Sequence, residues 1–101
     1  MEEIELKRSG KRPIVVTGKE LARVSTKTQD SKRWTMIRIC SHQNGGFVVG
    51  IAHMTNYIEE RDKYEVRNYK TVEKAVQFVQ KNEPGLVPEL EAQLKTAGKE
   101  S

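Results

Sequence analysis

Turn-forming residues punctuate the first two-thirds of the chain at short intervals, and this spacing most restricts the fold. Ser9-Gly10, Gly18-Lys19, Gln29-Asp30-Ser31 and Asn44-Gly45-Gly46 separate segments rich in Ile, Val, Thr and aromatic residues. Such punctuation predicts a series of antiparallel strands, read at 4–8, 14–17, 21–27, 33–42, 47–57 and 62–69. For 21–27 a helical turn is the alternative, because Thr17-Gly18-Lys19-Glu20 has capping-box spacing. After residue 70 the period changes. Val72, Ala75, Val76 and Val79 recur at i, i+3, i+4 and i+7, the stripe of an amphipathic helix.

That helix is expected over 71–83, with Thr71 as N-cap, Glu73 in its first turn and Pro84-Gly85 as its stop. A second short helix is expected over 88–97, with Pro88 early and Gly98 past its end. Leu86, Leu90, Leu94 and Ala97 form its thinner stripe, and 98–101 would be a frayed tail. The fold class is therefore α+β: an antiparallel meander of four to six strands, an amphipathic helix and a second short helix. At 101 residues this is a single small domain, 1–101.

The hairpin joining 33–42 to 47–57 decides which residues share a face. A two-residue Asn44-Gly45 turn would place Phe47, Val49 and Ile51 opposite to Ile37 and Ile39. A three-residue loop ending in a left-handed glycine pairs Gln43 with Phe47 and gathers all five on one face. The better-segregated register is preferred, since a one-residue slip moves every side chain. Its other face carries Trp34, Met36, Arg38, Cys40, Val48, Gly50, Ala52 and Met54. That face is too apolar to meet only water. It calls for a cover: the second helix, the N-terminal strands, another copy of the chain, or a ligand with flat faces.

Charge adds a second asymmetry. Lys and Arg number 18 against 14 acids, and the excess lies within residues 1–40, at +5. A basic region of this kind attracts polyanions, although a solvated surface of alternating bases and acids is the simpler account of it. Trp34, Met36 and Arg38 alternate on one strand beside Lys32 and Arg33. An indole and a guanidinium plane are both stacking platforms for unpaired bases, and the lysines suit phosphates. The plain alternative is packing, in a second core layer or a subunit contact. Tyr57, Tyr64 and Tyr69 offer further rings.

Signals for catalysis are weak. No phosphate-binding glycine loop, dinucleotide fingerprint or HExxH occurs. Glu59, Glu60 and Asp62 interleave with Arg61 and Lys63, which reads as a solvated loop. Cys40, His42 and His53 fall short of a zinc set, because His53 belongs to the other face and no second cysteine exists. No metal or cofactor is expected. With no long apolar run and no leader at Met1-Glu2-Glu3, a soluble cytoplasmic protein without membrane contact is expected.

The element order, a strand meander followed by a helix, is similar to that of single-strand-binding transcription cofactors of the Whirly type. The resemblance covers that order and no shared motif; it implies single-stranded nucleic acid as ligand. The reading from the residues themselves is a non-enzymatic interaction module that self-associates through the apolar outer face. Its alternative is single-stranded nucleic-acid binding by the basic N-terminal region with Lys32, Arg33, Trp34, Met36 and Arg38.

Overall fold

The computed structural model describes residues 2–100, with side chains as far as Ala97. Five strands run in sequence order through one antiparallel sheet: β1 (Glu2–Arg8), β2 (Lys11–Ser25), β3 (Arg33–His42), β4 (Phe47–Thr55) and β5 (Lys63–Tyr69). They are followed by α1 (Val72–Asn82), a 3-10 turn at Pro84–Leu86, and α2 (Val87–Glu100). The meander and its C-terminal helices are those the two periods required.

Both helices pack on one face of the sheet. Ala22, Val24, Ile37, Ile39, Val49 and Ile51 meet Ala75 and Val79 of α1, Leu86 of the 3-10 turn and Leu90 of α2. Thr71 caps α1, its hydroxyl accepting from the Lys74 N–H at 3.3 Å. The second helix therefore does not cover the outer face. Pro84-Gly85 ends α1 as expected, but the chain turns directly into α2, which continues through Gly98 to Glu100. Ser101 lies outside the described residues.

Three further expectations need correction. Segments 14–17 and 21–27 are not two strands, and no helical turn begins at Thr17; β2 is one strand of 15 residues. Gly18 serves close approach rather than a turn, since a Cβ there would stand 1.8 Å from the Ser41 carbonyl oxygen. Two residues on, between Glu20 and Ala22, the β2–β3 register shifts at a bulge. The hairpin register is also displaced. Ser41, not Gln43, pairs with Phe47, and the loop is 43–45, closed by His42 N–H donating to the Gly46 carbonyl at 3.1 Å. Gly45 supplies the left-handed residue at φ 95°. Because the displacement is two residues, every side chain keeps its expected face. Finally, β4 stops at Thr55 rather than 57, where the chain leaves for a loop tied back to β3.

Around Gly18 and the bulge the sheet folds onto itself. Ile4, Leu6 and Val16 come to lie on Cys40 and Val48, with Ile14 and Val66 beside them, forming a second core on the outer face. The two edge strands then meet. Ser9 N–H donates to the Tyr64 carbonyl at 3.0 Å, and Tyr64 N–H donates to Ser9 Oγ at 2.7 Å. Of the four covers that the apolar face called for, the N-terminal strands supply one, over half of its length.

Candidate ligand-binding groove

The uncovered half begins where Leu6 ends. Across β3 and β4 the outer face is built from the pairs Arg38–Gly50, Met36–Ala52 and Trp34–Met54. Leu6 reaches over Gly50, where an added Cβ would come within 3.0 Å of its methyl. Beyond it lies a groove of about 250 Å³ with an apolar floor of Met36, Ala52 and Met54. Its rim carries Lys7, Arg23, Arg38 and Tyr64, with Glu5 the facing carboxylate on β1. Lys7 Nζ stands 5.5 Å from the Tyr64 ring centroid.

Two further depressions adjoin it. One, of about 720 Å³, shares Met54 with the groove and is also lined by Trp34, Arg33, Glu60, Arg61, Lys63 and Glu83. The other shares Met36 with the groove and is also lined by Trp34 and Lys27. Trp34, outside the groove's own lining, thus stands where the two depressions meet, half-buried, with Lys27 Nζ 4.5 Å from its ring centroid. Among the described residues, its indole N–H is the buried side-chain donor without an acceptor. An orphaned donor of this kind costs about 1–3 kcal/mol, so it marks a local departure from complete satisfaction.

Arg38 lies against Glu20, its Nε donating to Oε1 at 3.1 Å. Arg23 holds the same carboxylate by Nε to Oε1 at 2.8 Å and Nη2 to Oε2 at 3.1 Å. Burial raises the Glu20 pKa, but hydrogen bonds from both arginines outweigh it, and the net shift is downward. Arg33 is committed elsewhere. It forks onto Glu60 and lies 4.9 Å from the Tyr57 ring centroid. Lys32 is exposed beside it, its carbonyl accepting from the Asn56 N–H at 2.9 Å.

The segment read as a solvated acidic loop is in fact tied down. Thr55 Oγ1 donates to Glu60 at 2.7 Å, and Thr55 N–H donates to Asp62 at 2.9 Å. The reason is tertiary: β3–β4 pairing sets Arg33 opposite Thr55 and so brings a guanidinium to the loop. Arg33, then Thr55, hold the Glu60 carboxyl at about 2, against an ordinary 4.5. A depressed carboxylate contributes stability above its unfolded pKa that is lost as the pH falls through its folded one. Amide exchange across 56–62 should therefore accelerate as the pH falls from about 4.5 to 2, after correction for the intrinsic rate. Glu60→Gln should show the loosened loop already at neutral pH. Equal protection at pH 7 and pH 2 would mean that the tie does not hold the loop.

Cys40 is fully buried in the second core, and burial pushes its thiol pKa up. His42 accepts the Asn44 N–H at 3.1 Å in the hairpin turn. His53 lies on the helix-side face, its Nδ1 sharing a hydrogen bond with Thr35 Oγ1 at 3.2 Å. The three do not converge, and among the described residues no group of three His, Cys, Asp or Glu is placed to hold a metal. Nor is any helix long and apolar enough to cross a membrane among those residues.

Of the residues read from the sequence, Trp34, Met36 and Arg38 line the groove or its adjoining depressions. Arg33 lines the depression shared with Trp34, and Lys32 is exposed outside both the groove and the depressions. Of the basic N-terminal region, Lys7 reaches the groove from β1 and Arg23 from the neighbouring β2, while Lys27 follows β2 in the connection to β3; Tyr64 arrives from β5. Compared with family models, with curated proteins and with solved structures, the chain matches none. The groove must speak for itself.

Proposed function

We propose that the protein is a non-enzymatic binding module and that its ligand is single-stranded nucleic acid, laid across the groove and the depressions that meet at Trp34. The observation that carries this reading is the half-buried indole at that junction with an ammonium over its ring. Stacking planes interleaved with cations suit a chain of bases joined by phosphates. Lys27, Arg61 and Lys63 line the depressions with Trp34, and Lys7, Arg23 and Arg38 line the groove, so cations outnumber the lining carboxylates Glu5, Glu60 and Glu83 along the path. The acids near it favour binding over catalysis. Glu20 and Glu60 are both hydrogen-bonded to arginines and kept ionised, unlike a general acid or base poised near neutral pH.

Self-association through the same face is the second reading, favoured by the apolar floor of Met36, Ala52 and Met54. The N-terminal strands narrow it, because a stable interface buries about 800 Å² per partner and the open floor is only a groove.

Trp34 is the chain's single tryptophan and reports on its own surroundings. Titration with a mixed-sequence oligonucleotide should quench its fluorescence, and binding should weaken steeply between low and physiological salt as counterions are released. Trp34→Ala, followed by mobility shift, should cost about 1–3 kcal/mol, the worth of one stacked base, without altering the salt dependence much. Unchanged emission with no mobility shift at low salt would overturn the nucleic-acid reading. Light scattering of a dimer in the same solution would then favour self-association.

A further inference from the structure

Resting on that reading, we infer that the facing pair Arg23 and Arg38 is the phosphate subsite of the groove, and that Glu20 fills it in the free protein as an internal stand-in for the ligand. The two arginines are directly opposed across β2 and β3. Like charges so placed repel. One carboxylate resolves the conflict, with Oε1 accepting from both Nε atoms. A forked guanidinium from Arg23 and the Nε of Arg38 converge on one small anion, an arrangement that suits a phosphate as well as a carboxylate.

The backbone makes this arrangement deliberate in physical terms. Residues three apart on a regular strand point to opposite faces, so Glu20 and Arg23 should not meet. The bulge between Glu20 and Ala22 inserts the extra residue that returns Arg23 to the face of Glu20 and Arg38. Beyond residue 18, β2 has lost β1 as its neighbour, and Gln93 of α2 takes its place. The Gln93 amide accepts the Arg23 N–H at 2.8 Å and donates to the Arg23 carbonyl at 2.9 Å. The Arg23 backbone is thus fixed, while its side chain remains 55% exposed. Arg23 and Arg38 both line the groove. A phosphate arriving from the groove can therefore take the place of the Glu20 carboxylate on Arg23 first and then on Arg38. With Glu20 in place the cluster carries one net positive charge; displaced toward solvent, the carboxylate leaves two guanidiniums for the phosphate.

An internal competitor lowers apparent affinity by the fraction of molecules in which the subsite is free. Glu20→Gln removes the charge that holds the arginines and keeps the side chain's size. It should bind a mixed-sequence oligonucleotide about five- to tenfold more tightly than the parent. The slope of log affinity against log salt should steepen by up to about 0.7, the share of one phosphate on a single strand. Arg23→Gln, which leaves the Glu20–Arg38 pair intact, should weaken binding and flatten the slope by a similar amount; it serves as the readout should Glu20→Gln fail to fold. Parent binding with Glu20→Gln no tighter, in a variant that melts cooperatively, would overturn the inference and leave the nucleic-acid reading standing. So would an Arg23→Gln variant with unchanged affinity and slope. If neither parent nor Glu20→Gln binds the oligonucleotide at low salt, the nucleic-acid reading itself fails, and the subsite with it.

Discussion

Ile39→Asp should abolish cooperative folding. Ile39 is 0% exposed, between Val49 on the neighbouring strand and the helix layer of Ala75, Val79 and Leu90. A carboxylate there would lose its hydration, and the surrounding cluster is apolar. Its loss of packing alone is worth about 2–5 kcal/mol, and the buried charge adds several more. A domain of this size holds only about 5–15 kcal/mol in total. Circular dichroism against temperature should show no transition for Ile39→Asp. Val15→Asp, at a position 56% exposed on β2, should melt within a few degrees of the parent. An Ile39→Asp protein that melts like the parent would mean that the two faces of the sheet are reversed.

Gly18→Val is expected to be the second most damaging change, for a reason that burial does not reveal. The obstacle is backbone: the added Cβ would lie 1.8 Å from the Ser41 carbonyl oxygen and 2.9 Å from its carbon. Neither atom can swing aside as a side chain does. The strands must part where β2 folds the N-terminal hairpin over the outer face, and we expect a loss of about 4 kcal/mol or more. Cys40 offers a specific readout. It is sealed beneath Ile4, Leu6 and Val16 in the parent and should be inert to a thiol reagent until the protein unfolds. In Gly18→Val it should react under native conditions. Gly50→Ala is the control, since its Cβ meets the end of the Leu6 side chain at 3.0 Å, which can shift. If Cys40 in Gly18→Val stays as protected as in the parent, the fold-over does not depend on the close approach.

Local periodicity made much of the architecture legible. The antiparallel meander, the α1 stripe, the Thr71 cap and the partition of Ile37, Ile39, Val49 and Ile51 from Trp34, Met36 and Arg38 all follow from turn signals and from spacing of two or of three and four. The hairpin shows how far that reaches. The exact pairing was displaced, yet the faces were right, because only parity decides them and both three-residue loops share it. Gly18 was misread for a related reason. A glycine announces an unusual backbone requirement without saying whether it is a turn or the close approach of another strand.

The groove lay largely beyond that reach. Trp34, Met36 and Arg38 were visible as an apolar row with one charge, but what covered it was not. Leu6, Lys7 and Tyr64 arrive from β1 and β5, and Arg33 and Glu60 find one another across 27 positions. Alternation and turn chemistry act between near neighbours, so the sequence by itself determined the elements, their types and the side chains each presents. The tertiary structure alone decided which half of the outer face stays open and which charges meet there. That outcome depends on the bend at Gly18 and the bulge beyond Glu20, where the backbone is shaped by strands and a helix that pack against it rather than by its own residues.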